Sequence, residues 1–494
     1  LTGLAVRTAV GEATGVAVDL KWPNDVLAPE QTGGGGRKVS GILCEFVPAP
    51  GGGGVAVIGT YIGRRSTHTS EHFFTAGRSV TVSLMTATFI AYAVGTGLIF
   101  SPAESAFTTG FTAMIGYALA ISVAYVVFIP VSRKIRERIP NGHTIAEYAL
   151  VRYGRPMQIV TSAVTMTYMF ILLVSNLIGA ALVFKYMGGV PMIVSVLAIG
   201  IPTIYFAAFG GVRAAIAANG IQSLLITPLL ILPAAFLMVE VGGPGNVYQG
   251  VIDHEPEFMQ LAWDGGAQFA IMIILAVTAA ELLNQTLWQR IYTARDHKVI
   301  RKALASSAIM VFPMTIVAAF LGLAAIGLGT EVPHTSIVSG MVIFEHTPTW
   351  VAAAFSVVVV LAASSTGGDA LSGFSALFGI DIVKGIKPDI SPKGAVLAGR
   401  LGVIGFGICG MALAYQAPSI LFLLLLADLL ACAMVFPIIA GLYTGRLNGI
   451  GAAVASVLGI LAGTPMFLAG QSLWSFLTAL AISVVVTLVW STIQ

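Results

Sequence analysis

From residue 80 onward the chain is built of long apolar segments joined by short loops, and the charge of those loops alternates. About twelve segments reach the roughly 20 residues needed to cross hydrocarbon. They fall near 80–101, 110–131, 157–184, 190–209, 219–240, 267–293, 304–328, 350–378, 395–415, 418–443, 449–468 and 472–492. Basic residues gather in every second connection. Arg64, Arg65 and Arg78 precede the first segment, and Arg133, Lys134, Arg136, Arg138, Arg152 and Arg155 follow the second. Arg213 follows the fourth, Arg290, Arg295, Lys298, Arg301 and Lys302 the sixth, Lys384, Lys387, Lys393 and Arg400 the eighth, and Arg446 the tenth. The loops between are acidic or neutral, with Asp253, Glu255, Glu257 and Asp264 in one and Glu331 and Glu345 in another; Lys185 breaks the alternation. Basic loops stay on the cytoplasmic side, so both termini are expected in the cytoplasm. Only 10% of residues are charged and 57% are hydrophobic, against about a quarter charged in soluble domains, which makes this an all-α polytopic membrane protein.

Within that pattern, polar atoms at depth mark the functional candidates, because hydrocarbon penalises each one that faces no protein, water or ion. The eighth segment holds Ser365, Thr366, the pair Gly367-Gly368 and Asp369. Ala362, Ser365 and Thr366 stand at i, i+3 and i+4 and share one helical face. Sodium is a hard cation that several neutral oxygens can hold and still release. The same hydroxyls could instead bond back to carbonyls one turn earlier. The glycine pair is expected to serve close packing, and Asp369 has no role in a sodium site. The first and sixth segments are both interrupted, by Gly95, Gly97 and Pro102 in one and by Glu281, Asn284 and Gln285 in the other. Paired broken helices in two halves point to inverted repeats around a mid-membrane site. No Walker or other nucleotide motif appears, which leaves a secondary transporter rather than a pump. Tyr92, Glu281, Asn284 and Gln285 are the solute-site candidates, since buried polar groups there need partners. Asp428, deep in the tenth segment, is either a packed acid or part of a proton path. His143 and Glu147 share a helix face within a basic loop, where a metal site is not expected. The three cysteines are scattered, with neither metal spacing nor a disulfide framework.

Residues 1–54 differ from the rest, with two Gly runs and strand-like alternation. The stretch VDLKWPNDVL followed by GRKVSGILCEF resembles biotin protein ligases. By that resemblance Lys21, Asn24, Asp25 and Lys38 match positions lining a biotinyl-adenylate site, where ammonium groups favour an acyl-phosphate transition state. The family's Gly/Arg-rich adenylate loop has no counterpart in residues 1–20, so a truncated, short α/β-like fragment is expected. Residues 55–79 form a junction and basic loop, and 80–494 the membrane domain.

Several passages of residues 61–494 resemble the sodium:solute symporter family: HFFTAGRS, IPNGHTIAEYALVRYG, FGGVRAAIAANGIQSLL, NQTLWQRIYTARD and SSTGGDALSGFSALFGIDIV. The resemblance implies a leucine-transporter-like, five-plus-five inverted-repeat core with extra C-terminal helices. It implies Na+ as the coupling ion, held by the hydroxyls of Ser365 and Thr366, the carbonyl of Ala362, and unwound carbonyls near Ala87 and Ile90. The sugar-transporting branch carries an aromatic pair where Ala280 and Glu281 stand here, which argues against a sugar. The run Gln285–Arg290 is most similar to the urea and polyamine branch, and Asn219 stands where many relatives place Asp. The expected partners are thus a small polar solute, urea-like by preference, sodium and the plasma-membrane bilayer. No nucleic acid is expected, and the oligomeric state is open. The alternatives are a membrane-tethered biotin ligase fragment, which would be an enzyme, and a non-transporting sensor with the symporter fold.

Overall fold

Eleven helical stretches among the described residues are long and apolar enough to cross a bilayer, two of them, Met192–Val212 and Ala215–Glu240, being parts of one element interrupted at Gly211. The computed structural model describes residues 70–493 apart from 262, 388, 417 and 418, together with short strands between 19 and 55. Of these strands, β1 (Asp19–Lys21), β2 (Asp25–Ala28) and β3 (Arg37–Gly41) form an antiparallel sheet in chain order. Its register sets Lys21 opposite Asp25, and Leu27 opposite Lys38. Asn24 lies outside the described residues.

The helices run in chain order as α1 (Ser70–Thr75), α2 (Val82–Ala93), α3 (Thr96–Arg138), α4 (Ile145–Tyr153), α5 (Arg155–Gly188) and α6 (Met192–Glu240). Then follow α7 (Pro244–His254), α8 (Asp264–Leu283), α9 (Gln285–Thr293), α10 (His297–Gly327), α11 (Val338–His346) and α12 (Thr349–Ala376). A π-helical stretch, Leu377–Val383, and α13 (Lys384–Ile386) lead to α14 (Pro392–Ala414), α15 (Ile420–Tyr443), α16 (Gly449–Leu468) and α17 (Ser472–Ile493).

The count differs from the expected twelve at the first segment. Residues 80–101 do not form one spanning helix. The backbone leaves helical geometry at Val94 (ψ 56°) and is extended at Gly95 (ψ −178°), so α2 stops and α3 restarts. That second piece runs on into the next expected segment, turning at Gly110, where φ is +75°. A side chain there would be strained and would strike Phe258. The sixth segment splits likewise, since Asn284 is extended between α8 and α9.

Burial separates centre from periphery. The most apolar windows of α5, α12 and α15 are 83%, 72% and 72% buried, whereas those of α14 and α17 are 28% and 22% buried. The three central helices therefore wall the interior, and the outer two offer apolar side chains to lipid.

The two ends of the bundle are tied differently. At the basic end, guanidinium groups cap backbone carbonyls, most of them part-buried: Arg78 donates to Pro140 and Gly142, Arg136 to Ala294, Arg138 to Leu442, and Arg152 to Gly441 and Thr444. At the other end the buried carboxylate of Glu104 on α3 accepts from Thr335 (2.6 Å), Ser336 (3.0 Å) and Ser419 (3.3 Å). It thereby fastens the outer half of α3 to the segment before α11 and to the head of α15.

Candidate functional site

The site is assembled where the two helix breaks meet α12. The end of α2 leaves carbonyls without intrahelical partners, as any helix C-terminus does. Val94 N–H still reaches the carbonyl of Ile90 (2.9 Å), but those of Ala91 and Tyr92 turn to α12. The Ser365 hydroxyl lies 3.3 Å from Ala91 O, and that of Thr366 lies 3.1 Å from Tyr92 O. Ser365 Oγ also lies 2.9 Å from Asn219 Oδ1. The single Ser365 hydroxyl proton is either given to one of these two acceptors or shared between both. Both hydroxyls are nearly free of solvent, and Ala362 is fully buried one turn earlier.

Close approach at this point is set by Gly95. A Cβ there would run into the Thr366 hydroxyl and Asn176. The expected role of Gly367-Gly368 is not what the packing shows, because a Cβ at either would make only ordinary contacts, 3.5 Å or more, with Leu173, Thr203 or Phe206. Asn176 of α5 holds the new start of α3 from outside. Its Oδ1 accepts from Thr96 N (3.0 Å) and Thr96 Oγ1 (3.1 Å), while its Nδ2 donates to Leu172 O (2.7 Å). Sequence reading passed over it; a lone amide in the apolar run ILLVSNLIGA was the available signal.

Asp369 and Arg290 are the other surprises. Arg290 was counted with the basic loop residues, yet it is 1% exposed and pairs with Asp369, itself fully buried. Asn219 Nδ2 donates to the second carboxylate oxygen of Asp369 (2.7 Å), and Thr286 Oγ1 lies 3.4 Å from the Asp369 carbonyl. A chain of contacts thus runs Arg290, Asp369, Asn219, Ser365. The acid that sequence left unexplained carries its own countercharge and positions an amide against the hydroxyl wall.

The second break lies against the first. Asn284 Oδ1 caps α9 through Thr286 N (2.9 Å), while its Nδ2 donates to the Tyr92 hydroxyl. Trp288 Nε1 takes the Leu282 carbonyl that the break frees (2.8 Å). The Tyr92 hydroxyl in turn lies 3.4 Å from Glu281 Oε1. Gln285 points elsewhere and spends its amide on the loop before α4, accepting from Ile145 N (3.0 Å) and lying 3.4 Å from His143 O. On the same basic side Thr144 caps α4 through Glu147 N and donates to Asp381 of the π-helical stretch (2.7 Å), while His143 lies 3.2 Å from Glu147. Asp381 therefore ties the π-helical stretch after α12 to the start of α4.

Beside the breaks is a cavity of about 80 Å³. Tyr92, Tyr117, Tyr168, Glu281, Thr366 and Asp428 are on its walls. Of the four solute-site candidates, Tyr92 and Glu281 line it, Asn284 supports Tyr92 from behind, and Gln285 is outside it. Ala87 lies further back along α2, half-buried.

Two broken helices meeting beside a hydroxyl-bearing helix, in a bundle that spans a membrane many times, define a secondary transporter of the leucine-transporter-like class. Within that class, the chain belongs to the sodium:solute symporter family, which its residues 73–459 match. This is a family of transporters, not of enzymes. Among distant relatives, the rice "Urea-proton symporter DUR3" is 22% identical over 446 residues, covering 83% of this chain and 61% of its own. The Candida albicans "Spermidine transporter DUR31" is 21% identical over 363 residues, covering 72% and 66%. The chain thus spans less than two thirds of the length of these curated relatives. A solved Na+-coupled sialic acid symporter, in its substrate-bound outward-open state, superposes with a TM-score of 0.73 at 20% identity, over 88% of this chain and 94% of that one.

Proposed function

We propose that the protein carries out sodium-coupled symport of a small polar solute by alternating access, with a urea-like, N–H-bearing solute favoured. The observation that carries this reading is the placement of the Ser365 and Thr366 hydroxyls against the carbonyls of Ala91 and Tyr92, at the point where α2 breaks. In this reading Ser365, Thr366 and the Ala362 carbonyl form one wall of the sodium site and unwound carbonyls of α2 the other. The resemblance points to Ala87 and Ile90 for those carbonyls, whereas the hydroxyl contacts favour Ala91 and the residues just after it. Sodium fits such a donor set of neutral oxygens. The breaks in α2–α3 and α8–α9 are the paired elements of a five-plus-five inverted repeat, and rocking of the repeats exposes the site to each side in turn. Sodium binding between α2 and α12 favours the outward-open arrangement, and solute binds beside the breaks against Tyr92, Glu281 and Asn284. The basic end faces the cytoplasm of a plasma membrane, with both termini on that side. The names of the relatives support a nitrogen-rich solute and nothing finer.

Purified protein in liposomes tests this directly. Uptake should follow an inward sodium gradient and weaken in Thr366→Ala. Uptake driven equally well by a proton gradient without sodium, or unaltered in Thr366→Ala, overturns the sodium mechanism.

A further inference from the structure

Above the cavity lies a short piece of helix that is jointed at both ends. Residues 96–109 of α3 run between the extended backbone of Gly95 and the turn at Gly110, where φ is +75°. Asn176 holds the base of this lever through Thr96 N and Thr96 Oγ1. Gly97 and Leu98 of the lever are on the cavity walls, as are Leu424 and Asp428 of α15. A Cβ at Gly97 would stand 3.2 Å from Leu424, so lever and α15 touch at the cavity itself. About two helical turns further out, the lever carries Glu104, which is 4% exposed. Its carboxylate accepts from Thr335, Ser336 and Ser419. The oxygens of Ser336 and Ser419 in turn accept from Ile420 N (3.1 Å) and Phe422 N (3.2 Å), amides in the first turn of α15. With those lone pairs taken by amides, both hydroxyl protons are left for Glu104. The helix dipole favours an anion at this place. Lever and α15 are thus joined above the space that both of them wall.

This joint is of a kind that can be undone. Asp369 is tied by a buried guanidinium, that of Arg290, and parting such a pair is costly. Glu104 is tied, among the described residues, by hydroxyls alone. Thr335 and Ser419 are half-buried, at an edge that water reaches. Water can replace each hydroxyl on the carboxylate, so release has a small net cost. We infer that Glu104 is the latch of an outer gate. Bonded to the three hydroxyls, it holds the lever closed over the cavity; released, it lets the lever swing away from α15 about the base that Asn176 fixes. This rests on reading the breaks as the solute site and the basic end as the cytoplasmic one. In that reading Glu104 is a positioning residue, which touches neither ion nor solute and sets how often the site is open to the outside.

The experiment uses the full chain in intact cells, with Cys44, Cys409 and Cys432 replaced by alanine and a reporter thiol introduced by Leu424→Cys. A membrane-impermeant maleimide is added outside. Glu104→Ala should speed labelling of the reporter about ten-fold or more, as the open population rises. A second reporter, Ser375→Cys, is placed at a buried position near the basic end of α12 and labelled in inside-out vesicles. Its rate should stay within about two-fold, because a latch moves one gate whereas a loosened fold exposes both sides. Should Glu104→Ala fold poorly, Thr335→Val keeps the shape and removes the shortest of the three bonds; it should speed outside labelling about three-fold or more. Outside labelling within about two-fold of the parent in every variant that folds, or equal acceleration at Ser375→Cys, overturns the inference. In liposomes Glu104→Ala should lower the sodium concentration for half-maximal uptake about three-fold and the maximal rate about ten-fold, since a gate resting open binds more readily and closes less often. Faster outside labelling, with uptake indifferent to sodium, leaves the latch standing and removes the sodium reading. Sodium-driven uptake with unchanged labelling does the reverse.

Discussion

The two sides of the Val94–Gly95 break treat charge in opposite ways. On the α12 side every oxygen at the break is neutral, and the one acid nearby, Asp369, has a buried guanidinium of its own. On the cavity side two acids, Glu281 and Asp428, stand with no Lys or Arg among the described lining residues. Tyr92 belongs to both, its carbonyl taking the Thr366 hydroxyl and its own hydroxyl facing Glu281 and Asn284. A neutral oxygen shell suits an ion that must leave again, because each ligand contributes modestly. The comparison teaches that an acid near a transport site is informative only once its countercharge is located.

The largest effect should come from breaking the countercharge. Arg290→Ala leaves Asp369 buried and unpaired, and unfolding in detergent should show a loss of about 3–5 kcal/mol. Arg290→Met with Asp369→Leu removes both charges and should recover most of it. A single variant as stable as the unaltered protein would erase the distinction between the two sides. Next comes the neutral side itself. Thr366→Ala removes one oxygen and should raise the sodium concentration for half-maximal uptake about ten-fold. Tyr92→Phe separates the sides more finely, since it keeps the carbonyl and deletes the hydroxyl. Solute affinity should fall about five-fold, roughly 1 kcal/mol, while the sodium midpoint stays put. Equal shifts in both would mean that the two sides act as one site.

The smallest effect is a control outside the membrane. Asp296 caps α10 by accepting from Val299 N (2.9 Å), and that backbone N–H holds its carboxyl below the usual aspartate range. A depressed carboxyl stabilises the fold above its unfolded-state value and loses that contribution as pH falls through the folded one. The thermal-stability difference between the unaltered protein and Asp296→Asn should therefore shrink between about pH 6 and about pH 3, with sodium affinity at neutral pH unchanged. A sodium midpoint altered at neutral pH would mean that charge outside the membrane reaches the break.

Much of the site could be read from the sequence because hydrocarbon makes polar residues conspicuous. Ser365 and Thr366 stood out as adjacent hydroxyls in an apolar helix, though spacing left back-bonding open and only the resemblance singled them out, and Tyr92, Glu281 and Asn284 do cluster at the meeting of two interrupted helices. Gln285 shows the limit. It is adjacent to Asn284 in sequence, but the extended backbone at the break sends its amide to the loop before α4.

The many spans and the weak points in two of its helices follow from composition, segment length and the placement of Gly95, Gly97 and Pro102 in one and Glu281, Asn284 and Gln285 in the other, and the family from short motifs, all of them local properties of the chain. Which charges are neutralised does not. Arg290 looked like one more basic loop residue, Asp369 like an acid without a purpose and Asn176 like background. Each acquired its role from a partner 79 to 80 residues away. Only packing brings such partners within hydrogen-bond distance, and in a medium without water that distance decides whether a polar group holds the structure together or waits for a ligand.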